Sequence, residues 1–223
     1  MAQKLKILMV DDHPMIIEGY KNTLQATKAA DQELQIDIAT NCDLANEMIK
    51  SSGGSIPYDM IFFDISLPPS KDGLITSGID LAKIARQYLP KAKIIILTMF
   101  NESYRVHNII KEINPEGFLI KSDLTSRELA DAFQQIQTKP PYYSVTVINF
   151  LRASVTTNIQ LDDISRKILY LLSQGIKTKS LTNHVGLSMS GIEKRKKQLK
   201  LLFSIEDGKD ETLLKEAKEK GFI

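Results

Sequence analysis

Asp11, Asp12, Asp64, Thr98 and Lys121 stand at the ends of four short apolar runs, Lys6–Val10, Asp59–Phe63, Lys93–Leu97 and Gly117–Ile120. A short apolar run bounded by polar residues reads as a buried strand, and the first polar residue after it emerges at the strand's carboxyl edge. Three carboxylates brought to one edge repel one another unless a cation is present, and hard oxygen ligands in that number suit Mg2+ or Mn2+. A carboxylate can attack phosphorus to give an acyl phosphate while a metal and an ammonium neutralise the transferring oxygens. Lys121 supplies an ammonium and Thr98 a hydroxyl donor. Taken singly, each aspartate is an ordinary helix cap; four strand ends converging with a lysine make a site. A hydrolase using Asp64 as nucleophile needs a general acid-base residue just downstream, and Ser66 cannot do that work well.

These residues need a sheet whose strand ends share one edge. Lys6–Val10 leads into a helix opening at Pro14 and running to about Gln25, with Met15, Ile16, Ile17, Tyr20 and Leu24 at apolar positions. Leu34–Ala39 reads as a strand, followed by a helix over Leu44, Met48 and Ile49 that Asn41 or Asp43 can cap. After Asp64 a Pro- and Gly-rich loop, 66–78, precedes a helix from about Ile79 to Tyr88. The strand ending at Thr98 is followed by a helix over Val106–Ile113, and the strand ending at Lys121 by one capped by Ser122 or Asp123 and reaching about Gln137. Five strands alternate with helices, the pattern of a doubly wound parallel sheet with helices on both faces, whose ligands gather at the carboxyl ends of the strands.

The 223 residues, 43% hydrophobic, have room for such a domain and a smaller second one. No apolar stretch approaches the roughly 20 residues that span a bilayer, and the first twelve residues reach carboxylates too soon for a signal peptide, so a cytoplasmic location with no membrane partner is expected. Cys42 is the single cysteine, which excludes an intrachain disulfide and a cysteine-based zinc site; it reads as a small half-buried residue. Residues 1–150 hold 15 Lys/Arg against 18 Asp/Glu, and residues 151–223 hold 14 against 9. A basic unit behind a larger acidic one suits nucleic-acid binding under regulation.

The division is read as 1–138, a linker over 139–157 and an all-α domain over 158–223. Pro140–Pro141 ends the last helix of the first domain, and 145–151 is apolar enough for a short helix. In the second domain, Ile164–Leu172 forms an amphipathic helix stopped by Gly175, a second helix runs from about Thr178 to Val185, and Gly186 makes the tight turn. A third, capped by Ser188 or Ser190 with Ser190 and Glu193 spaced as a capping box, turns Ile192, Leu199 and Leu202 inward. A fourth runs from about Asp210 to Lys220. The third carries Lys194, Arg195, Lys196, Lys197 and Lys200 on its other face, so the arrangement reads as a helix-turn-helix with that helix in the DNA major groove. Candidate DNA contacts are Lys177, Lys179, Ser190, Lys194, Arg195, Lys197 and Lys200.

Val10-Asp11-Asp12-His13-Pro14, Asp64 with Leu67-Pro68, Thr98, and Lys121 with Phe118 three residues before it resemble the receiver domains of bacterial two-component response regulators. Leu171–Gly175, Val185–Ser188, Gly191–Arg195 and Glu216–Gly221 are similar to a LuxR-type DNA-binding domain, in the order found in NarL/FixJ-type regulators. The resemblance implies a flavodoxin-like receiver in which Asp64 accepts a phosphoryl group from a sensor histidine kinase. Asp11, Asp12, Asp64 and the Ser66 carbonyl would serve the metal, and Thr98 and Phe118 would act as switch residues. It further implies a homodimer on double-stranded DNA when phosphorylated, and no turnover of an external substrate. Three features depart from the family pattern: the loop from Pro68 is longer by about half a dozen residues, with Gly73 or Gly78 the matching glycine; Ser165-Arg166-Lys167 replaces a usual acidic residue; and Ser190-Gly191 replaces a usual small pair. A helix-turn-helix that binds another protein is the alternative.

Overall fold

The computed structural model describes residues 3–54, 56–99, 103–156 and 159–223. They fall into two compact units, one built from the residues up to 99 with 109–147, the other from 103–108 with the described residues from 148 on.

In the first unit, strands β1 (Gln3–Val10), β2 (Gln32–Ala39), β3 (Met60–Asp64), β4 (Lys93–Thr98), β5 (Gly117–Ile120) and β6 (Tyr142–Tyr143) form one parallel sheet in the order β2-β1-β3-β4-β5-β6. The inner strands are buried on both faces, which is why β3 reads MIFFD without alternation. Helices α1 (Pro14–Thr27) and α5 (Ser126–Thr138) share one face, with Ile17, Leu24, Phe133 and Ile136 packed on Met9, Phe62 and Leu119. On the other face lie α2 (Cys42–Ser52) and α3 (Gly78–Tyr88), while α4 (Ser103–Ile113) connects β4 to β5.

Several expectations are corrected. The sheet has six strands, not five: Tyr142–Tyr143, expected in the linker, pairs with β5 and covers an edge whose backbone groups would otherwise lack partners. Tyr142 N–H donates to Glu116 O at 2.9 Å and Ser144 N–H to Phe118 O at 2.9 Å. The apolar stretch after it is a full helix, α6 (Val145–Thr156). Thr125, not Ser122 or Asp123, caps α5; Lys121–Asp123 form a 3-10 turn. Asp123 instead accepts hydrogen bonds from Thr146 N–H at 3.1 Å and Thr146 Oγ1 at 2.9 Å, and so holds the first turn of α6. Asn41 caps α2 through Leu44 N–H, and that helix buries Cys42, Ala45 and Ile49 while Leu44 is exposed; Cys42 is fully rather than half buried. Met15 also points to solvent.

The long loop after β3 is an ordered excursion. Ser70 is buried and organises it: Ser70 N–H donates to Ile75 O at 2.8 Å, Ile75 N–H to Ser70 Oγ at 3.0 Å, and Ser70 Oγ to Asp72 Oδ1 at 2.5 Å. Its two ends meet at Gly78, whose N–H donates to Ile65 O at 3.1 Å. A Cβ at Gly78 would lie 1.8 Å from the backbone oxygen of Asp64. Gly78 is therefore the glycine on which α3 closes against β3, whereas nothing crowds Gly73.

The second unit contains α7 (Asp163–Ser173), a 3-10 turn at Thr178–Leu181, α8 (Thr182–Val185), α9 (Met189–Leu202) and α10 (Asp210–Glu219) around Ile168, Leu181, Ile192, Leu199, Leu213 and Phe222. The expected second helix is thus a 3-10 turn running into one short α-helical turn.

Gly78→Ala is expected to destabilise the first unit by about 1–3 kcal/mol, because backbone rather than a yielding side chain occupies the Cβ position; urea unfolding measures this. Asp123→Ala is expected to cost about 1 kcal/mol, the worth of a lost cap, with faster amide hydrogen exchange confined to the first turn of α6.

Candidate functional site

Register brings the first site together. Val10 pairs with Phe63 and Asp64 with Leu97, so the ends of β1, β3 and β4 lie level at one edge. Asp11 and Asp64 are 2% exposed. Lys121 Nζ lies between them, donating to Asp11 Oδ2 at 2.7 Å and Asp64 Oδ2 at 2.8 Å. Burial works against the ammonium charge, but the hydrogen bonds and charges of Asp11 and Asp64 outweigh it and hold Lys121 above the ordinary lysine range.

Ligand atoms of Asp11, Asp12, His13 and Asp64 all lie within 4.8 Å of one another. Asp12 Oδ1 sits 2.8 Å from His13 Nδ1, yet the pair lacks hydrogen-bond geometry, and that oxygen is closed off from solvent with no hydrogen-bond partner. A buried carboxylate oxygen without a donor calls for a cation, so the three aspartates fit a divalent metal. The structure also places His13 against the carboxylates, its backbone N–H donating to Asp11 Oδ1 at 3.0 Å. Its position just past the acidic pair was the available signal.

Ser66 N–H donates to Asp64 Oδ1 at 3.2 Å, which fixes the carboxylate from its own loop. Thr98 closes β4 and is fully buried. Phe118 is fully buried in β5, in register with Ile96 on one side and Tyr143 on the other.

In the second unit the predicted basic face divides. Ile192, Lys196, Leu199 and Phe203, spaced i, i+4, i+7, i+11, form the buried stripe of α9. Leu202, expected inward, lies off that stripe and is 49% exposed. Lys196 is drawn inward, its Nζ 2.6 Å from Asp210 and donating to Thr178 Oγ1 at 2.8 Å. Lys200 Nζ lies 2.6 Å from Asp210 and donates to Gly208 O at 2.5 Å. Arg195 pairs with Asp162 and donates to Ser165 Oγ at 3.1 Å. Arg195 and Lys200, expected at DNA, and Lys196 between them hold α9 to its neighbours. Lys194 and Lys197 are exposed with no ion pair among the described residues, and Lys177, Lys179 and Ser190 are exposed.

Ser188 caps α9 by accepting from Gly191 N–H at 3.2 Å. The expected capping box is absent because Ser190 already lies inside the helix. Gly186, at φ +64°, makes the turn ahead of it in the left-handed region.

The hydrogen bond from Arg195 holds the Asp162 carboxyl well below the usual range, at about 2. A lowered folded-state value means the stabilisation is complete above about pH 4, the ordinary carboxylate range, and is lost as pH falls to about 2. Wild type and Asp162→Asn are therefore expected to differ in urea midpoint by a constant amount at neutral pH, and the gap to close between those limits.

Residues 7–148 match the response regulator receiver domain model. The chain is 24% identical over 199 residues to the transcriptional regulatory protein MctR of Rhizobium johnstonii, covering 88% of this chain and 86% of that protein. It is 22% identical over 205 residues to the oxygen regulatory protein NreC of Staphylococcus epidermidis, covering 86% and 88%. Its fold is similar to that of RcsB in a structure of two dimers bound to two parallel DNAs, with a TM-score of 0.63, 19% identity and coverage of 97% and 98%. RcsB of Salmonella enterica serovar Typhimurium, bound to promoter P1flhDC in the presence of phosphomimetic BeF3-, aligns at a TM-score of 0.62 with 20% identity, covering 96% and 98%. With a receiver match over more than half of its length, its acidic site at the carboxyl edge of a parallel sheet and a helical second unit, this chain belongs to the response regulators.

Proposed function

We propose that this chain is a phosphorylation-controlled transcription regulator, that Asp64 is its phosphoacceptor and that the exposed face of α9 binds double-stranded DNA. The observation that carries the reading is the Lys121 ammonium held between Asp11 and Asp64, with Asp12 beside them. An Asp64 carboxylate oxygen attacks the phosphorus of a phosphohistidine on a sensor kinase; the P–O bond forms, the P–N bond breaks, and the imidazole leaves with a proton. Mg2+ or Mn2+, held by Asp11, Asp12, Asp64 and the Ser66 carbonyl, supplies charge neutralisation at the transferring oxygens when bound. Anhydride formation neutralises the Asp64 carboxylate but sets phosphoryl oxygens carrying about −2 in its place, and Lys121 follows those oxygens. Thr98 is the hydroxyl that turns toward them, and Phe118 answers its movement. The acyl phosphate is lost by slow hydrolysis of this one group, so the chain is not a turnover enzyme.

The relatives' names speak of transcriptional and oxygen regulation, and the RcsB structures of DNA bound by dimers. By analogy this chain acts in the cytoplasm, without a membrane partner, as a homodimer placing two α9 helices on successive half-sites. No helix among the described residues is long and apolar enough to cross a membrane. Lys177, Lys179, Lys194 and Lys197 meet phosphates. The exposed Leu201 and Leu202 at the end of α9 favour a second reading, in which the helix-turn-helix binds another protein.

Wild type is expected to take up label from acetyl phosphate with Mg2+ and Asp64→Asn to take up none; equal labelling would refute the site. Mobility shifts on genomic fragments at two salt concentrations are expected to weaken with salt. Reversing charge at Lys194 and Lys197 is expected to weaken all sequences alike and to lower the salt slope by about 2 per copy. Absence of any shift at low salt decides for the protein-binding reading.

A further inference from the structure

On α9, Ser190, Glu193, Lys194 and Lys197 are exposed and spaced i, i+3, i+4, i+7 on the side of the helix away from the buried stripe, with Glu193 at its flank. With Arg195, Lys196 and Lys200 tied to Asp162, Thr178 and Asp210, this stripe and the exposed Met189 are what the amino-terminal half of the helix offers outward. Three of its members suit a polyanion. Glu193 does not: a carboxylate set among DNA-facing residues is repelled by phosphates and loses its water on docking, unless it meets a hydrogen-bond donor.

Among the described residues its ion partner is Lys196, whose Nζ is 3.9 Å away and already engaged at 2.6 Å by Asp210, and the Glu193 side chain is 53% exposed. In the major groove, the exposed donors on base edges are the amino groups of cytosine and adenine. Adenine sets its N7 acceptor beside N6, where a carboxylate is repelled, whereas cytosine offers N4 with no acceptor next to it.

We infer that Glu193 is a specificity-determining residue that accepts a hydrogen bond from a cytosine N4 amino group, so that each half-site contains one G·C pair fixed by this side chain. The inference rests on the proposed DNA-binding function and adds the base that is read. Ser190 and Lys194, one helical turn apart on the same stripe, flank the contact.

The test selects bound sequences from a randomised duplex pool with the full chain treated with acetyl phosphate and Mg2+, as wild type, Glu193→Gln and Glu193→Ala. Wild type is expected to enrich a motif with an invariant cytosine. Glutamine pairs with adenine N6 and N7, so Glu193→Gln is expected to shift that one position toward adenine and to bind the wild-type site about tenfold more weakly. Glu193→Ala is expected to relax the same position and leave the rest of the motif unchanged. Unaltered motifs in both variants, or a uniform gain in affinity for every sequence as from simple loss of phosphate repulsion, would overturn the assignment while leaving DNA binding intact. A wild-type chain that enriches no sequence while still shifting DNA removes base reading altogether, and one that binds no DNA removes the proposed function with it.

Discussion

One buried ammonium between two buried carboxylates is the interaction on which the first unit turns. Lys121 directly follows β5, Asp11 directly follows β1 and Asp64 ends β3, so their meeting requires three strand ends at one level. Charges withdrawn from water in this way are held together by mutual attraction that only partly offsets desolvation, and removing one leaves the others uncompensated. Such a triad contributes little net stability, but it is sensitive to a single added charge. Any change of charge at Asp64 changes what Lys121 is attracted to.

The consequence reaches the chain's exit from the first unit over a short path. Lys121 opens the 3-10 turn whose last residue, Asp123, holds the start of α6, and the N–H of Ile120 donates to Ser144 Oγ at 3.2 Å. The sixth strand ties residues 142–143 to the strand that contains Phe118. The acidic site, the buried Phe118 and the first turn of α6 thus share one strand and one turn.

The second unit uses its positive charge in two ways. Arg195, Lys196 and Lys200 pair with Asp162 and Asp210 and fix the angle at which α9 leaves the core, while Lys194 and Lys197 stay solvated. Exposed ion pairs contribute modestly, yet the half-buried ones here tie α9 to the residues around it. The ordered loop closing on Gly78 does similar work in the first unit, since α3 cannot approach the Asp64 backbone with any side chain between them.

The strand ends carrying Asp11, Asp12, Asp64, Thr98 and Lys121 were legible in the sequence because apolar runs stopping at polar residues encode both burial and edge position. The turn at Gly186 and the helix over 189–202 were legible for the same kind of reason, a local backbone requirement beside a helical period. Other features depend on what arrives from elsewhere in the chain. Lys194 and Lys196 are the same residue type two positions apart, and only the presence of Asp210 and Thr178 beside one of them separates a structural lysine from a free one. Tyr142–Tyr143 becomes a strand because β5 offers an unpaired edge, and Ser188 rather than Ser190 caps α9 because packing sets where the helix begins. Gly78 matters because the Asp64 backbone lies against it, Gly73 for its left-handed φ of +71°. Sequence by itself determined which groups can do the chemistry and which elements present them. Tertiary structure alone decided which charges are satisfied internally, because pairing depends on distance in space, and spacing along the chain does not specify it.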